Sequence, residues 1–475
     1  MLSSLTHRVG GTRGSAIPIV LLATAATLAG CAERRPYAPP QVAPAILHNA
    51  DPAIVSDQAF DPRWWQQFED PVLDDLVSRA LDANHDVRMA LARFDQARAI
   101  FDDVKRDARP IVPAGASVEH VDQVIPGFTD QPRALTIYRA GFDASWELDL
   151  FGRIRSQTRA ASAEADSFEA DVDDTRVSVA SEVARNYFEM RGLQQQMAVA
   201  ERNVTNVLET LRLTEVRRDE EFGDEQDVAS AAARVAAVEA SIPLIRAAIA
   251  ERQHRIAVLT GARPGELHAD LTPRPYPPLA KALAIGEPES LLRRRPDVRA
   301  TERQLAAATA REGIAAADLF PRITLTGFLG FFAWRGAVFT ADSRAWAVTP
   351  ALSWAAFDVG SARARLRGAE AATLERLAAF EQIVLIALEE TENALVSYRD
   401  EQQRLVKLTE QARQSERAAA IARVRYREGA DDFLALLDAE RTQLQAEDAA
   451  AQAEAGVFTS VIALYKALGG IPVSP

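Results

Sequence analysis

The sequence predicts a mainly helical, internally duplicated chain in which long coiled-coil helices are combined with four β-strands. The first observation is a change of period: a stretch of alternating apolar and polar residues runs through Trp146 into a long helical pattern, and Trp354 repeats that junction. The second is the spacing of the flanks. The two tryptophans are 208 residues apart, and the same number separates Gly261 from Gly469. Two tandem copies of one unit therefore make up most of the chain.

The N-terminus has the pattern of an export signal. Residues 1–30 contain no acidic residue, and their apolar run from Ala16 to Leu28 is shorter than the about 20 residues that a membrane-spanning helix needs. The run ends in Leu28-Ala29-Gly30-Cys31, and Cys31 is the only cysteine. This pattern resembles the bacterial lipobox and predicts a lipid on Cys31. The alternative for a lone cysteine is a small buried apolar side chain.

The charge of the chain excludes one class of partner. The formal net charge is -13, and it becomes -15 when Arg8 and Arg13 leave with the signal peptide. An acidic protein repels polyanions, so we expect no nucleic-acid partner.

The duplication divides the chain into segments. Residues 1–30 are the predicted lipoprotein signal peptide, and a Pro-rich leader follows at 31–63. Each copy is predicted to contain a helix, two strands, a long helix and a return helix. The first copy covers 64–261, with a helix at 73–109 and strands at 111–122 and 134–148. A linker at 262–288 leads to the second copy at 289–470, with a helix at 291–319 and strands at 322–334 and 345–357. A tail at 471–475 follows.

The longest helices have the spacing of coiled coils. Between Arg153 and about Phe222 the chain contains no proline, and apolar residues recur every three or four positions. About 70 residues at a rise of 1.5 Å give a rod of roughly 100 Å. Gly223 is predicted to end this helix, and Gly429 the corresponding helix of the second copy.

The strands have one apolar and one polar face. In the second strand, Tyr138, Phe142 and Trp146 alternate with Arg139 and Asp143. This pattern is typical of a half-buried strand in a soluble sheet, and equally of a barrel strand between lipid and water. Periodicity alone does not separate the two.

Strand length and number favour a barrel shared between chains. Residues 322–334 would extend about 43 Å, enough to cross a bilayer core of about 30 Å at a tilt of about 45°. Four strands cannot close a barrel, and lipid does not tolerate unpaired strand edges. Several chains would therefore share one barrel. Trp146 and Trp354, at strand ends, would then be membrane-interface anchors.

Several motifs resemble the trimeric outer-membrane channels of tripartite efflux pumps, the TolC-like family, and in particular its lipoprotein branch. They are Cys31 with Pro36-Tyr37 nearby, Trp65-x-x-Phe68-x-Asp70, Ser145-Trp146-Glu147-Leu148-Asp149-Leu150-Phe151-Gly152-Arg153, Leu291-Leu292-Arg293-Arg294-Arg295-Pro296-Asp297, Phe320-Pro321-Arg322 and Lys466-Ala467-Leu468-Gly469-Gly470. The resemblance implies a homotrimer with a twelve-stranded outer-membrane β-barrel and a long periplasmic α-helical barrel. Such a trimer is an exit duct that receives drugs or toxic compounds from an inner-membrane pump and a periplasmic adaptor.

The resemblance also assigns roles to two helical turns. The first turn region, with Arg217, Gly223 and Asp227, matches the hairpin that meets the adaptor in the family, and so does the second, with Gly429 and Asp432.

A periplasmic gate is implied beyond the second turn. Leu434 and Asp438 fall where the family narrows its resting channel with a ring of Leu and a ring of Asp. Three such carboxylates would attract cations and repel anions. The alternative for Asp438 is a solvated acid on a helix. Tyr426 matches a family tyrosine that bonds in the closed gate, but Asp431 stands where the best-known member has Arg, so that lock is not carried over.

Other classes of protein are weaker fits. The six histidines show no metal-ligand spacing, and no phosphate loop or nucleophile elbow occurs, so we expect no catalytic residue, metal or cofactor. A lipid-anchored periplasmic coiled-coil scaffold or adaptor would account for the helices without a barrel. A duct for protein secretion remains an alternative to small-molecule efflux.

Overall fold

The computed structural model describes residues 37–41, 46–124, 131–279, 282–334 and 339–470. The predicted signal peptide, the Cys31 lipidation site and the tail lie outside these residues. The chain forms two compact units, each of which takes segments from both copies. The described residues within Met1–Pro40, Gln96–Asp166 and Glu302–Ala379 form the strand-bearing unit, and those within Gln41–Asp95, Ser167–Thr301 and Phe380–Pro475 form the helical unit.

The described elements follow the same order in both copies. The helices are α1 Pro71–Ala83, α2 His85–Arg106, α3 Arg153–Asp219, α4 Glu225–Leu259, α5 Pro288–Arg294, α6 Pro296–Ala317, α7 Val359–Arg427 and α8 Phe433–Ala467. The strands are β1 Val55–Ser56, β2 Ala114–Gln123, β3 Arg133–Leu148, β4 Leu283–Ala284, β5 Arg322–Trp334 and β6 Arg344–Ser353. Among the described helices, α4 alone is long and apolar enough to cross a membrane by composition, which is weak support for a span when taken singly.

The four long strands form one antiparallel sheet in the order β2-β3-β5-β6. Its register aligns Phe142 with Leu329 and Leu329 with Trp346 across three strands. These side chains are 56%, 65% and 77% exposed, whereas a soluble sheet would cover such a row. Arg139 and Asp143 are on the other face and are joined by a hydrogen bond of 3.0 Å. The predicted alternation of apolar and polar residues is confirmed for β3, whereas Phe328 and Phe332 of β5 lie on the face of Arg139.

The polar face contains a close backbone approach between β3 and β5. Gly141 and Gly330 are direct partners, and a Cβ on Gly141 would lie 2.5 Å from the Leu329 carbonyl oxygen. The ring of Phe328 lies beside the glycine pair, and the Arg139 guanidinium is 4.2 Å from the centre of that ring. Glycine is therefore required at both positions for the strands to pair at this distance.

Three of the predicted strands have different limits. The strands expected at 111–122 and 134–148 are Ala114–Gln123 and Arg133–Leu148, and the strand expected at 345–357 is Arg344–Ser353. Ile111 forms only an isolated bridge to Ser145, because Pro113 has no N–H to continue the ladder. The last strand ends earlier because the chain turns between Ala355 and Asp358 to enter α7.

The helix that precedes each strand pair was predicted as continuous, and this was wrong in both copies. The first breaks at Asn84, whose backbone is extended and whose side-chain oxygen accepts the N–H groups of Asp86 and Val87 at 2.7 and 3.2 Å. The second breaks at Arg295, which is extended because a residue before proline disfavours the helical region.

The core of the helical unit is aromatic around the Trp65-x-x-Phe68-x-Asp70 motif and the preceding Trp64. Trp64 stacks on Tyr465 with ring centres 5.5 Å apart, and Phe68 is completely buried. The Tyr187 hydroxyl donates to the Asp70 carboxylate at 2.5 Å and accepts from Arg191 at 2.6 Å. The side chain of Asp70 also caps the N-terminus of α1. The motif found in sequence thus connects α1 to the middle of α3.

Candidate functional site

The first helical turn closes through a residue other than the one predicted. Helix α3 ends at Asp219, and Glu221 has a left-handed backbone with a φ of 66°. The Phe222 N–H donates to the Arg217 carbonyl at 2.8 Å and closes the helix before Gly223 is reached. The expectation that Gly223 ends the helix was therefore wrong. Helix α4 then begins with Asp224 as its cap, which accepts the Asp227 N–H at 2.9 Å.

The second turn closes through Gly429, as predicted. Its φ is 74°, and the N–H of Ala430 donates to the Arg425 carbonyl at 2.8 Å. Asp432 caps α8 by accepting the Ala435 N–H at 2.9 Å. The two predicted tips are thus short turns, each followed by an aspartate cap.

The two turns are joined by Arg217 and Tyr426. The Arg217 guanidinium lies 4.5 Å from the centre of the Tyr426 ring, and the same side chain donates to the Tyr426 carbonyl oxygen. Tyr426 is 2% exposed and packs with Phe433 and Leu436. Burial raises the pKa of its hydroxyl. Sequence reasoning named both residues but did not pair them, because they are 209 positions apart.

Asp431 has a local partner within the second turn. Its carboxylate accepts a hydrogen bond of 2.8 Å from Arg425. Asp431, for which the resemblance would lead one to expect an arginine, is thus bonded within its own hairpin.

Two of the predicted gate residues, Leu434 and Asp438, are exposed on the first turns of α8, whereas Tyr426 is buried on α7. Leu434 is 67% exposed, and Asp438 is paired with Arg441 at 2.5 Å, with both charged side chains more than half exposed. No group of three or more potential metal ligands occurs among the residues that the structure describes. Leu434 and Asp438 can present an apolar and a charged layer to water.

The two predicted anchor tryptophans have polar partners. The Trp146 indole donates to the Ala108 carbonyl oxygen at 3.2 Å, and Trp354 donates to that of Leu319 at 3.1 Å. Trp354 lies one residue beyond the end of β6. Each ring is therefore fixed where a strand pair meets the preceding helix.

Comparisons with known proteins agree with this geometry. The model of the family described as "Outer membrane efflux protein" matches residues 76–262 and 288–470. The chain is 31% identical over 423 residues to the pyoverdine export outer membrane protein OpmQ of Pseudomonas putida, covering 86% of this chain and 88% of the relative. It is 30% identical over 416 residues to the toluene efflux pump outer membrane protein TtgI of the same species, covering 86% and 87%.

A solved structure gives the same result for the fold. The outer-membrane channel OprN superposes with a TM-score of 0.90 at 48% sequence identity, covering 93% of this chain and 99% of that one. The family match spans both copies, and the fold match spans both units. This chain belongs to the outer membrane efflux protein family and is an outer-membrane channel of an efflux pump.

Proposed function

We propose that three copies of this chain form the exit duct of a tripartite pump, through which small drugs or toxic compounds leave passively after transfer from an inner-membrane pump and a periplasmic adaptor. The observation that carries the proposal is the exposed apolar face of a sheet whose two outer strands have open edges. Relatives named for pyoverdine and toluene export support small molecules as the cargo. No catalytic step or cofactor belongs to the proposal.

The open edges support a ring of chains. Strands β2 and β6 are the outer strands of the described four-stranded sheet, so each has one unpaired side. In lipid these backbone groups need partners, and β6 of one chain can pair with β2 of the next. Three chains supply twelve strands. The test is to place single cysteines on β2 and β6 in a Cys31→Ser background: oxidation is expected to link neighbouring chains into a covalent trimer. A soluble monomer after removal of the anchor would instead indicate a periplasmic scaffold.

A lipid on Cys31 would reinforce membrane attachment. The Tyr37 hydroxyl donates to the Glu302 carboxylate at 2.6 Å, and Tyr37 packs on Ala163 and Ala306. The leader is therefore bound to the same unit that carries the sheet. Tyr37 lies six positions after Cys31, so an extended chain between them would reach about 22 Å at most. Palmitate labelling is expected in the wild type and absent in Cys31→Ser; equal labelling would contradict the anchor.

The tips and the gate belong to the proposal as well. We assign adaptor contact to the turns with Arg217, Gly223 and Asp227 and with Gly429 and Asp432, and gating to Leu434, Asp438 and Tyr426. The exposure of Leu434 and Asp438 in a single chain supports this, because a ring of three can form only from side chains that their own chain leaves uncovered.

Planar-bilayer conductance tests the gate. Asp438→Ala is expected to raise the single-channel conductance and lower cation preference, because it removes three carboxylates from the ring. Glu410→Ala is the matched control, since Glu410 is also exposed and pairs with an arginine three residues later, at 2.7 Å, on α7. If both variants behave like the wild type, Asp438 is not in the gate.

A further inference from the structure

Four arginines occupy equivalent positions in the two copies, near the start of each long helix. Arg155 and Arg363 are 208 residues apart, and so are Arg159 and Arg367. We call these four residues the arginine collar. All belong to the strand-bearing unit. The same offset relates the two junction tryptophans, so the collar is part of the repeated junction, in a chain whose net charge is -13.

The collar lies directly below the ends of the strands. Strand β3 ends at Leu148 and α3 begins at Arg153, while β6 ends at Ser353 and α7 begins at Val359. At a rise of 1.5 Å per residue, the four arginines lie about 3 to 12 Å along their helices. The polar headgroup layer on one side of a bilayer is about 5–8 Å thick. With the sheet in the outer membrane, the collar coincides with this layer.

Helix stability does not account for the collar. Within each helix the two arginines are spaced i,i+4, and like charges at this spacing destabilise a helix. Neither helix has an acidic residue in its first turn. Arg155 contacts Asp149 at 3.3 Å and remains 53% exposed. In the described part of the chain, Arg159, Arg363 and Arg367 form no ion pair and are exposed.

In the first copy the collar borders a groove that is large enough for a headgroup. A cavity of 550 Å³ between α3 and α6 is lined by Arg155 and Arg159, by the hydroxyl residues Ser156 and Thr309, and by Phe151. Cations, hydroxyl donors and an apolar ring next to a membrane surface match the phosphate, the polar headgroup and the upper acyl chain of a phospholipid. Asp166 also lines this cavity, and its carboxylate lies 4.0 Å from the guanidinium of Arg303.

We propose that the arginine collar binds the phosphate groups of anionic phospholipids in the periplasmic leaflet of the outer membrane. This rests on the membrane position of the sheet and adds a lipid partner to the channel. Each i,i+4 pair lies on one face of its helix, and guanidinium groups bind phosphate with parallel hydrogen bonds. The collar would thereby fix the height of the channel in the bilayer at both junctions of every chain.

Lipid competition tests the collar. Purified trimers are placed in vesicles that contain brominated phosphatidylglycerol or brominated phosphatidylcholine, and quenching of tryptophan fluorescence gives the relative affinity for the two lipids. Wild type is expected to prefer phosphatidylglycerol by about fivefold, the factor that corresponds to about 1 kcal/mol for an arginine near an anionic surface. The preference is expected to weaken in high salt.

Variants and controls separate the possible outcomes. Arg155→Gln with Arg159→Gln, and Arg363→Gln with Arg367→Gln, are each expected to lower the preference, and the four together to remove it. Replacement of the same four arginines by lysine is expected to keep most of the preference for phosphatidylglycerol. Arg417→Gln, exposed on the same helix α7 but far from its start, is the matched control and should change nothing.

The proposal is overturned if the glutamine variants assemble as trimers and keep the wild-type lipid preference. It is also overturned if they lose ion selectivity or trimer stability in detergent without any change in lipid preference, because the arginines would then face the lumen or a neighbouring chain. Ion conductance across the membranes of the same vesicles tests whether the channel is open, independently of its lipid preference. A closed or absent pore with normal lipid preference would count against the duct and not against the collar.

Discussion

The indole nitrogen of Trp354 donates a hydrogen bond of 3.1 Å to the carbonyl oxygen of Leu319. The first copy repeats this bond between Trp146 and Ala108, at 3.2 Å. The acceptors are 211 residues apart and the donors 208, so the bond joins equivalent positions of the duplication. Tryptophan at this junction therefore combines an apolar ring with a specific donor, which phenylalanine cannot supply.

Replacing the donor tests this role. Trp354→Phe is expected to lower the free energy of unfolding of the trimer by about 1 kcal/mol, because one hydrogen bond is lost and the ring is kept. Thermal unfolding followed by circular dichroism measures it, and Trp146→Phe should behave alike. Trp346→Phe is the control, since this ring is 77% exposed on the sheet. Equal effects of Trp354→Phe and Trp346→Phe would show that the bond contributes nothing.

The contact between Arg217 and Tyr426 gives a second prediction. Arg217→Gln is expected to loosen the second turn, because the substitution removes both the guanidinium over the ring and the hydrogen bond to the Tyr426 carbonyl. We expect a cost of about 1–3 kcal/mol in local stability. Amide exchange of residues 423–434 measures it. Arg212→Gln, which removes an exposed pair with Glu209 on the same helix, should leave this exchange unchanged. If the two variants match, the contact does not join the turns.

The duplication, the helices and the faces of the strands could be predicted because periodicity reports them directly. The helix break at Asn84 could not, whereas the break at Arg295 could have been predicted from the proline that follows it. Asn84 donates to the Leu259 carbonyl at 2.9 Å, and Arg295, its counterpart at an offset of 211, donates to the Ala467 carbonyl at 2.8 Å. The position has one structural role but two different side chains, and its acceptor is distant in sequence. A local pattern contains no sign of such a contact.

The functional residues divide in the same way. The gate and tip residues followed from the family resemblance, and their roles are still predictions. The contact between Arg217 and Tyr426 depends on two hairpins meeting, which no spacing along one helix reveals. The arginine collar could have been found, because the offset of 208 that relates Trp146 to Trp354 also relates its members.

The strained residue of the first turn gives a third prediction. Glu221 has a φ of 66° and occupies the position that Gly429 occupies in the second copy. A left-handed backbone costs a residue with a Cβ roughly 1–2 kcal/mol. Glu221→Gly is therefore expected to stabilise the turn by about 1 kcal/mol, and Gly429→Ala to destabilise the other turn by a similar amount. Amide exchange in residues 216–228 measures the first effect. Faster exchange in Glu221→Gly would mean that the carboxylate, and not the backbone, decides the turn.

A half-buried acid in the helical unit contributes to the pH dependence of stability. Burial, followed by the nearby carboxylates of Asp297 and Asp171, raises the pKa of Asp174 to about 6, although Lys466 and Arg295 oppose the shift. The folded chain thus binds this proton more tightly than the unfolded chain does. The resulting stability is fully present below the ordinary aspartate pKa and is lost as the pH rises through 6.

Acidification is therefore expected to stabilise the helical unit. Between pH 7 and pH 4.5 the free energy of unfolding should gain about 1–3 kcal/mol from Asp174. Asp174→Asn should be more stable than the wild type at pH 7 and should lack this gain, because asparagine has no charge to desolvate. Asp103→Asn, an exposed aspartate, is the control and should keep the wild-type profile. Thermal unfolding across this pH range measures all three proteins. A wild-type profile in Asp174→Asn would assign the pH dependence to another group whose pKa differs between the folded and unfolded states.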